Sequence, residues 1–215
     1  MSKIDIKPLP KTIPLFPLSG VLLLPHGNLP LHIFEPRYLA MVEDALEHDQ
    51  VIGMIQPAES ENLGNNNLLY KTGCIGRICQ QSESTDGRRY IILTGISRFD
   101  LNEELPLYRG YRRASVTYKR FQLDLEPNWS EQIDIETLMK SVQMYFEIKG
   151  LKPDWEAMQK TPNEALVNLL SMICPFGPAE KQGLLEAKTL VERMEMLSSL
   201  LSLDSHLHET AKLMQ

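Results

Sequence analysis

Short hydrophobic segments separated by Gly and Pro make up residues 1–120 of the chain. Many of these segments alternate apolar and polar positions or are rich in Val, Ile and Tyr, a pattern that predicts β-strands. The residues Thr85–Arg88 (TDGR) predict a hairpin turn between two of the strands. The predicted strands are Ile13–Leu18, Val21–Leu24, Leu29–Phe34, Val51–Gln56, Gly73–Cys79, Tyr90–Thr94 and Tyr111–Tyr118.

One segment of this half has a helical period. Apolar residues recur at i, i+3 and i+4 across Pro36–Glu47, and Pro36 is suited to the first turn of a helix. We predict that this is the single helix of the β-rich half. The polar stretch Asn62–Asn67 predicts a loop tip.

From about Trp129 the hydrophobic period changes from two toward 3.6, which predicts helices. Gly150 and Pro175 are stop signals, and Thr161–Glu164 (TPNE) is a start signal. The chain therefore predicts an α+β protein, with a β-rich subdomain at residues 1–122 and a helical bundle subdomain at residues 129–215, joined by the linker Phe121–Asn128. The predicted helices begin at Ser130 or Glu131, at Pro162 after an N-cap at Thr161, near Pro178 and at Lys188, and the last one runs to Leu213.

The composition is that of an ordinary soluble protein, with 215 residues and a net charge of −6. This charge provides no overall attraction to nucleic acid or to an anionic membrane. Residues 71–120 are an exception, because they contain ten basic and five acidic side chains. RNA binding by this basic segment is therefore kept as an alternative function.

The cysteines and the N-terminus indicate the cellular compartment. Cys74, Cys79 and Cys174 are odd in number and have no C-x-x-C spacing, so neither a disulfide framework nor a zinc knuckle is indicated. The first residues lack the apolar stretch of a signal peptide, and no apolar run is long enough to cross a bilayer. We predict a cytoplasmic protein without a membrane partner.

Local catalytic signatures are missing from the sequence. It contains no Gly-Lys dipeptide for a P-loop, no G-x-S-x-G, no H-E-x-x-H and no G-x-G-x-x-G. We therefore predict no ATPase or protease activity, no catalytic residue, no metal and no cofactor.

A small hydrolase or metal enzyme is the remaining catalytic alternative. It would use His26 and His32 near Glu35, or Cys79 activated by Arg77, although a buried inert Cys79 is the favoured interpretation. His206 and His208 are two residues apart, which is the wrong spacing for one metal ion on a helix.

Two stretches carry a family signature. Residues 13–38 read IPLFPLSGVLLLPHGNLPLHIFEPRY, and residues 73–101 read GCIGRICQQSESTDGRRYIILTGISRFDL. Together with Pro178–Leu185 (PAEKQGLL) and the leucine-rich last helix, they resemble the Lon amino-terminal (substrate-binding) domain family over nearly the whole chain.

The resemblance implies a PUA-like, β-rich pseudo-barrel followed by an α-helical subdomain. It also implies a non-catalytic module that binds unfolded or partly folded proteins, and an adaptor role in protein quality control with a protease or ATPase partner. Because the sequence has no Walker motif and no protease domain, we expect a stand-alone relative without those domains.

The residues expected to bind peptides come from the two signature stretches, and they are Phe34, Arg37, Tyr38, Arg98 and Phe99. A structural role for part of the signature is the alternative, in which Glu35 lies at the helix N-terminus, Arg37 pairs with a carboxylate or carbonyl and Tyr38 anchors the helix on the sheet. One departure from the family is His26, which stands where relatives have Gly. This change predicts that the turn is shifted by one residue.

Overall fold

The computed structural model describes residues 8–58, 68–126 and 133–213, with the side chains of the last helix described as far as residue 205. The loop predicted at Asn62–Asn67, the helix start at Ser130 or Glu131 and the side chains of His206 and His208 lie outside the described residues. The strands are β1 (Thr12–Pro17), β2 (Asn28–Ile33), β3 (Val51–Ile55), β4 (Thr72–Glu83), β5 (Arg89–Tyr108) and β6 (Tyr111–Thr117). The helices are α1 (Pro36–Glu47), α2 (Ile135–Lys149), α3 (Trp155–Lys160), α4 (Asn163–Ile173), α5 (Pro178–Glu186) and α6 (Leu190–Leu213), and a 3₁₀ segment spans Lys119–Leu125.

Five of the strands close into a small barrel in the order β5–β4–β3–β1–β6, since β6 pairs again with β5. Closure depends on the length of β5, which pairs with β4 from Arg89 to Asp100 and with β6 from Asp100 to Tyr108. The pair β1–β3 is parallel, and the other pairs are antiparallel. β2 lies outside the ring, paired antiparallel with the first residues of β5.

Two hydrophobic cores result from this arrangement. A small core fills the barrel and includes Ile13, Leu15, Ile75 and Phe99. A larger core joins the outside of the barrel to α1 and to the helical half, and apolar side chains from both halves contribute to it. The barrel, the helix α1 and the helices that follow confirm the predicted α+β class, and the two predicted subdomains share one core.

Buried amide side chains cross between the two halves. The Gln56 Nε2 donates to the Pro178 carbonyl at 3.0 Å and to the Gln182 Oε1 at 3.2 Å. Gln182 in turn donates to the Thr72 carbonyl at 3.1 Å. Because these groups satisfy one another, the polar part of the interface is buried without unpaired donors at either glutamine.

The helix α1 has the predicted bounds, Pro36–Glu47, whereas two other expectations are wrong. Val21–Leu24 is not a strand: Leu22, Leu23 and Leu24 are buried in irregular backbone between β1 and β2. The turn that follows is not shifted, because His26 itself has a φ of 63° and its N–H donates to the Gly95 carbonyl at 2.9 Å.

Two short segments were not predicted. The helix α3 has no buried residue, and Asp154 caps it by accepting a hydrogen bond from the Ala157 N–H. The first part of the predicted linker is the 3₁₀ segment, and its Phe121 is buried. Across the described residues, no helix combines the length and the apolar character that crossing a membrane requires.

Candidate functional site

Three aromatic rings lie together on the solvent side of the sheet formed by β2, β5 and β4. Along β2 the side chains alternate, so that Leu31 and Ile33 enter the large core while His32 faces solvent. The His32 ring stacks on Tyr90 of β5, with centroids 4.3 Å apart and ring planes 2° apart. Phe34 meets His32 edge-on at 5.8 Å. Phe34 is 60% exposed and Tyr90 is 51% exposed, so these rings form a surface, which we call the aromatic face.

A shallow groove of about 490 Å³ runs across the aromatic face. Its lining includes Pro30, Ile92 and the amides of Gln80 and Gln81, and it contains no Lys, Arg, Asp or Glu. Aromatic and aliphatic side chains provide contact area, and the amides provide donors and acceptors for a peptide backbone. An exposed apolar groove with a few polar groups is typical of a binding surface.

The free edge of β2 is a poorer surface for a partner than the face. The Gly95 N–H donates to the Gly27 carbonyl at 2.9 Å, and alternation from this pair directs the backbone of Pro30 and His32 away from β5. Pro30 has no N–H to offer there, which is a common way to prevent strand addition at a sheet edge. The candidate site is therefore the aromatic face.

The structure separates the three expected binding residues of the first signature stretch. Phe34 belongs to the aromatic face. Arg37 is exposed in the first turn of α1, where its Nε donates to Glu35 at 2.9 Å and its guanidinium lies 4.5 Å from the Tyr38 ring centroid. Tyr38 is buried, and its ring lies 4.3 Å from that of Phe16. Arg37 and Tyr38 thus have the positions expected for the structural alternative, and Glu35 lies at the N-cap of α1.

Arg98 and Phe99 are both buried, so the expectation that they are exposed is wrong. Phe99 fills the barrel and has no exposed surface. Arg98 is 5% exposed: its Nε and Nη2 donate to the Asp124 carboxylate at 2.9 and 2.8 Å, and its Nη1 donates to the Leu185 carbonyl at 3.2 Å. Neither side chain is within reach of a docked peptide in this conformation, because one faces the barrel interior and the other is held between the halves.

The side chains considered for the catalytic alternative do not come together in the structure. His26 contacts Glu164 at 3.3 Å, which raises its pKa, while His32 is stacked on Tyr90. Within residues 8–58, 68–126 and 133–205, no group of three or more His, Cys, Asp and Glu side chains is placed to hold a metal ion. Cys79 is exposed, contrary to the favoured interpretation, and its Sγ accepts a hydrogen bond from Thr94 at 3.2 Å.

Carboxylates neutralise most of the basic segment. Six of its eight arginines make an ion pair with an Asp or Glu: Arg88, Arg89, Arg98, Arg109, Arg112 and Arg120. Four of the six pair with acidic residues of the segment itself, and Glu43, Asp44 and Asp124 from neighbouring elements offset part of its excess positive charge.

Sequence reasoning missed Pro30, His32, Tyr90 and Ile92 as members of one surface. A signal was present, because every second residue of a strand lies on the same face. This alternation alone was insufficient, because the contact between His32 and Tyr90 depends on the pairing register of β2 with β5, and the register cannot be read from the sequence.

Comparison with known families identifies the domain. The family model of the ATP-dependent protease La (LON) substrate-binding domain matches residues 12–202. Lon protease 2 of Myxococcus xanthus is 27% identical over 211 residues, which are 93% of this chain and 24% of that protein. Lon protease of Parabacteroides distasonis is 29% identical over 92% of this chain and 24% of its own. The chain therefore spans about a quarter of the length of these relatives.

Solved structures show the same fold. The crystal structure of a Lon N-terminal domain protein from Xanthomonas campestris superimposes with a TM-score of 0.61 and 21% identity, covering 87% of this chain and 97% of that one. The N-terminal domain of a Mycobacterium avium complex Lon protease gives a TM-score of 0.62 and 17% identity, with coverage of 89% and 98%.

Proposed function

The chain belongs to the LON substrate-binding domain family, and from this premise we propose that it recognises unfolded or partly folded polypeptides through the aromatic face. The observation that carries the proposal is the row of three contacting rings, His32, Tyr90 and Phe34, beside an uncharged groove. In this proposal Arg37, in the first turn of α1, contributes to the border of the binding surface. Arg98 and Phe99 contribute to binding only indirectly, by stabilising the fold.

The affinity should be modest. Burying an exposed aromatic side chain contributes about 1.5–3 kcal/mol, and association costs several kcal/mol of lost rotational and translational freedom. Two or three rings with a few backbone hydrogen bonds therefore support binding in the micromolar range or weaker. Unfolded chains expose the apolar segments that such a surface accepts, whereas folded proteins bury them.

RNA binding gains no support from the site. A groove that binds single-stranded RNA combines stacking rings with cations that follow the phosphates, and the lining of the aromatic groove has no cation. The nearby Arg88 and Arg89 are paired with Asp86 and with Glu83 and Glu43. Peptide binding without strong salt dependence is the expected behaviour.

The test is binding of one protein in its folded and permanently unfolded forms, measured by fluorescence anisotropy with and without ATP. We expect binding of the unfolded form alone, without an effect of ATP. Tyr90→Ser and Phe34→Ser should each weaken it about tenfold, the effect of losing about 1.4 kcal/mol. Leu107→Ser is the matched control, because Leu107 is 66% exposed at the far end of β5. Equal binding of both forms, or an equal loss in the control, would contradict the proposal.

The proposal extends to an adaptor role in protein quality control. In this role the chain is a non-catalytic, cytoplasmic module that passes bound clients to a protease or ATPase partner. The supporting observation is the membership of the chain in the substrate-binding domain family. Affinity capture from nuclease-treated lysate, comparing the wild type with the Phe34→Ser/Tyr90→Ser variant, should retain clients on the wild type and lose them on the variant. Material that disappears with nuclease would instead indicate RNA.

A further inference from the structure

A small pocket lies where the first turn of α1 meets the β5–β6 turn. Its volume is about 170 Å³, and it shares no lining residue with the aromatic groove. A Cβ placed on Gly110 would lie 3.3 Å from the Arg37 Cβ, so the two turns are in close contact beside it. We call it the α1 pocket, and its lining includes Pro17, Arg37, Tyr38, Gly110 and Arg112.

The charged side chains that line the α1 pocket are both cationic. Among the described residues, Arg37 and Arg112 line it and no Asp or Glu does. Arg37 pairs with Glu35 and Arg112 pairs with Glu104, and both carboxylates belong to residues outside the lining. The pair of Arg37 with Glu35 is half-exposed on both sides, and exposed pairs of this kind contribute little and exchange readily. The lining therefore favours an anion.

The hydroxyl of Tyr38 points to a ligand in this pocket. Tyr38 is only 8% exposed, and its hydroxyl makes no hydrogen bond to any residue that the structure describes. Tyr111 also lines the pocket, but its hydroxyl donates to Asp44 at 2.8 Å. Because the polar groups of buried residues normally have partners, an acceptor that reaches Tyr38 through the pocket would satisfy a donor left unused by the fold.

The two arginines act on this same hydroxyl. Burial and the Glu35 carboxylate raise the pKa of Tyr38, whereas the positive charges of Arg37 and Arg112 oppose that rise. The Arg37 guanidinium also lies 4.5 Å from the centroid of the Tyr38 ring. The hydroxyl and the positive charges therefore converge on one small space.

The donors that remain free match a carboxylate. The Arg37 Nε donates to the Glu35 Oε2 at 2.9 Å and its Nη2 lies 2.7 Å from the same oxygen, so Nη1 keeps no acceptor among the described residues. A carboxylate brings two oxygens, one for this nitrogen and one for the Tyr38 hydroxyl. A phosphate would bring further oxygens, and Pro17 and Pro57 in the remaining wall have no N–H to donate to them.

We propose that the α1 pocket binds a single carboxylate of a polypeptide, with the Arg37 Nη1 and the Tyr38 hydroxyl as donors and Arg112 as a second positive charge. The carboxylate is that of a chain end or of an acidic side chain. This inference rests on the proposed function in that the ligand is a polypeptide, but it concerns a separate pocket with a different preference.

The test uses small carboxylates in two-dimensional NMR of the ¹⁵N-labelled protein at constant ionic strength. N-acetylglycine represents a chain end, acetylated and amidated glutamate represents a side chain, and N-acetylglycinamide is the neutral probe. We expect a carboxylate to shift the amide signals of Gly110 and Tyr111 saturably, with a dissociation constant in about the millimolar range, and the neutral probe to leave them in place. The carboxylate that binds more tightly identifies the source.

Two variants remove the proposed donors one at a time. Arg37→Gln should weaken carboxylate binding about tenfold, and Tyr38→Phe, which keeps the ring, should weaken it about fivefold. Arg88→Gln is the matched control, because Arg88 is an exposed arginine paired with Asp86 outside the pocket, and it should leave the affinity unchanged. Each variant is first checked for a melting temperature close to that of the wild type.

Equal shifts with the neutral probe, or an equal loss in Arg88→Gln, would overturn the inference. Inorganic phosphate binding more tightly than either carboxylate would also overturn it. The proposed function fails separately, because these probes carry no large apolar side chain for the aromatic face. Tyr90→Ser should therefore leave their binding unchanged while it weakens the binding of a neutral unfolded protein.

Discussion

Arg98 joins the barrel to the helices through one buried guanidinium. Two of its nitrogens, Nε and Nη2, form a bidentate pair with Asp124 of the 3₁₀ segment. The third, Nη1, donates to the carbonyl of Leu185 at the end of α5. The guanidinium also lies 4.5 Å from the Phe121 ring centroid. An arginine at the carbonyl end of a helix satisfies acceptors that the helix cannot satisfy itself. The Gly-x-x-Arg-Phe part of the family signature is thus explained by assembly of the fold.

Arg98→Met should therefore destabilise the protein strongly. Removing one member of a buried ion pair leaves Asp124 without its partner and costs about 3–5 kcal/mol. Arg98→Lys should also be costly, because a lysine cannot form the bidentate pair. Urea unfolding monitored by circular dichroism measures both effects, and the Arg98→Met/Asp124→Leu variant should be more stable than Arg98→Met alone. A loss below about 1 kcal/mol in Arg98→Met would contradict this interpretation.

Tyr38 is the corresponding anchor of α1. Its ring packs against Phe16, and burial raises the pKa of its hydroxyl. Tyr38→Ala should lower the free energy of unfolding by about 3–5 kcal/mol, the usual cost of emptying a buried aromatic site. Tyr38→Phe keeps the ring and is expected to change the stability by less than about 1 kcal/mol. An unchanged melting temperature in Tyr38→Ala would show that the residue is not an anchor.

The barrel strands depend on a glycine that makes room for the interior. A Cβ placed on Gly53 of β3 would lie 2.6 Å from the Ile13 Cδ1 and 3.1 Å from the Phe99 Cε1. Gly53→Ala should therefore cost about 1–3 kcal/mol through overpacking. Ile13→Val removes the closest atom and alone costs about 1 kcal/mol. The double variant should lose less than the sum of the two in urea unfolding, and simple additivity would show that the alanine is accommodated elsewhere.

Elements were predictable where a local signal determines them. The bounds of α1 follow from Pro36 and the apolar period, and α4 follows from Pro162 and Pro175. Val21–Leu24 has the composition of a strand, but its leucines are buried by contacts to the barrel, and no neighbouring strand pairs with them. Hydrophobic composition reports burial, whereas a strand also needs a partner along its backbone.

The length of β5 and the aromatic face were not predictable for a related reason. Residues after Thr94 continue as strand through a polar and Pro-containing stretch because β6 pairs with them from the opposite side. The meeting of His32 with Tyr90 likewise depends on register. Burial of Arg98 was hidden because its partner Asp124 is 26 residues away and the helix end that it caps comes later still.

At the scale of the whole molecule, the two halves share one hydrophobic core. Leu93 and Ile78 of the barrel strands belong to the same cluster as Leu166 of α4 and Leu197 of α6. Buried hydrogen bonds cross the same boundary, including that from the Asn168 side chain to the Pro25 carbonyl at 3.1 Å. A core that draws on both halves loses its contacts in both when either one unfolds, so the chain should behave as one cooperative unit.

This cooperativity can be measured by perturbing one half and observing the other. Leu166→Ala in α4 empties a site that is 2% exposed and should cost about 3 kcal/mol. If unfolding is cooperative, the slowest amide hydrogens of β3 should exchange about a hundredfold faster in this variant, by the same factor as those of α4. Leu203→Ala is the matched control, because Leu203 is 54% exposed on α6 and should leave both sets unchanged. Faster exchange confined to the helices would instead mean that the barrel holds its structure when the bundle opens. In that case a client bound at the aromatic face would remain attached to a partly unfolded chain.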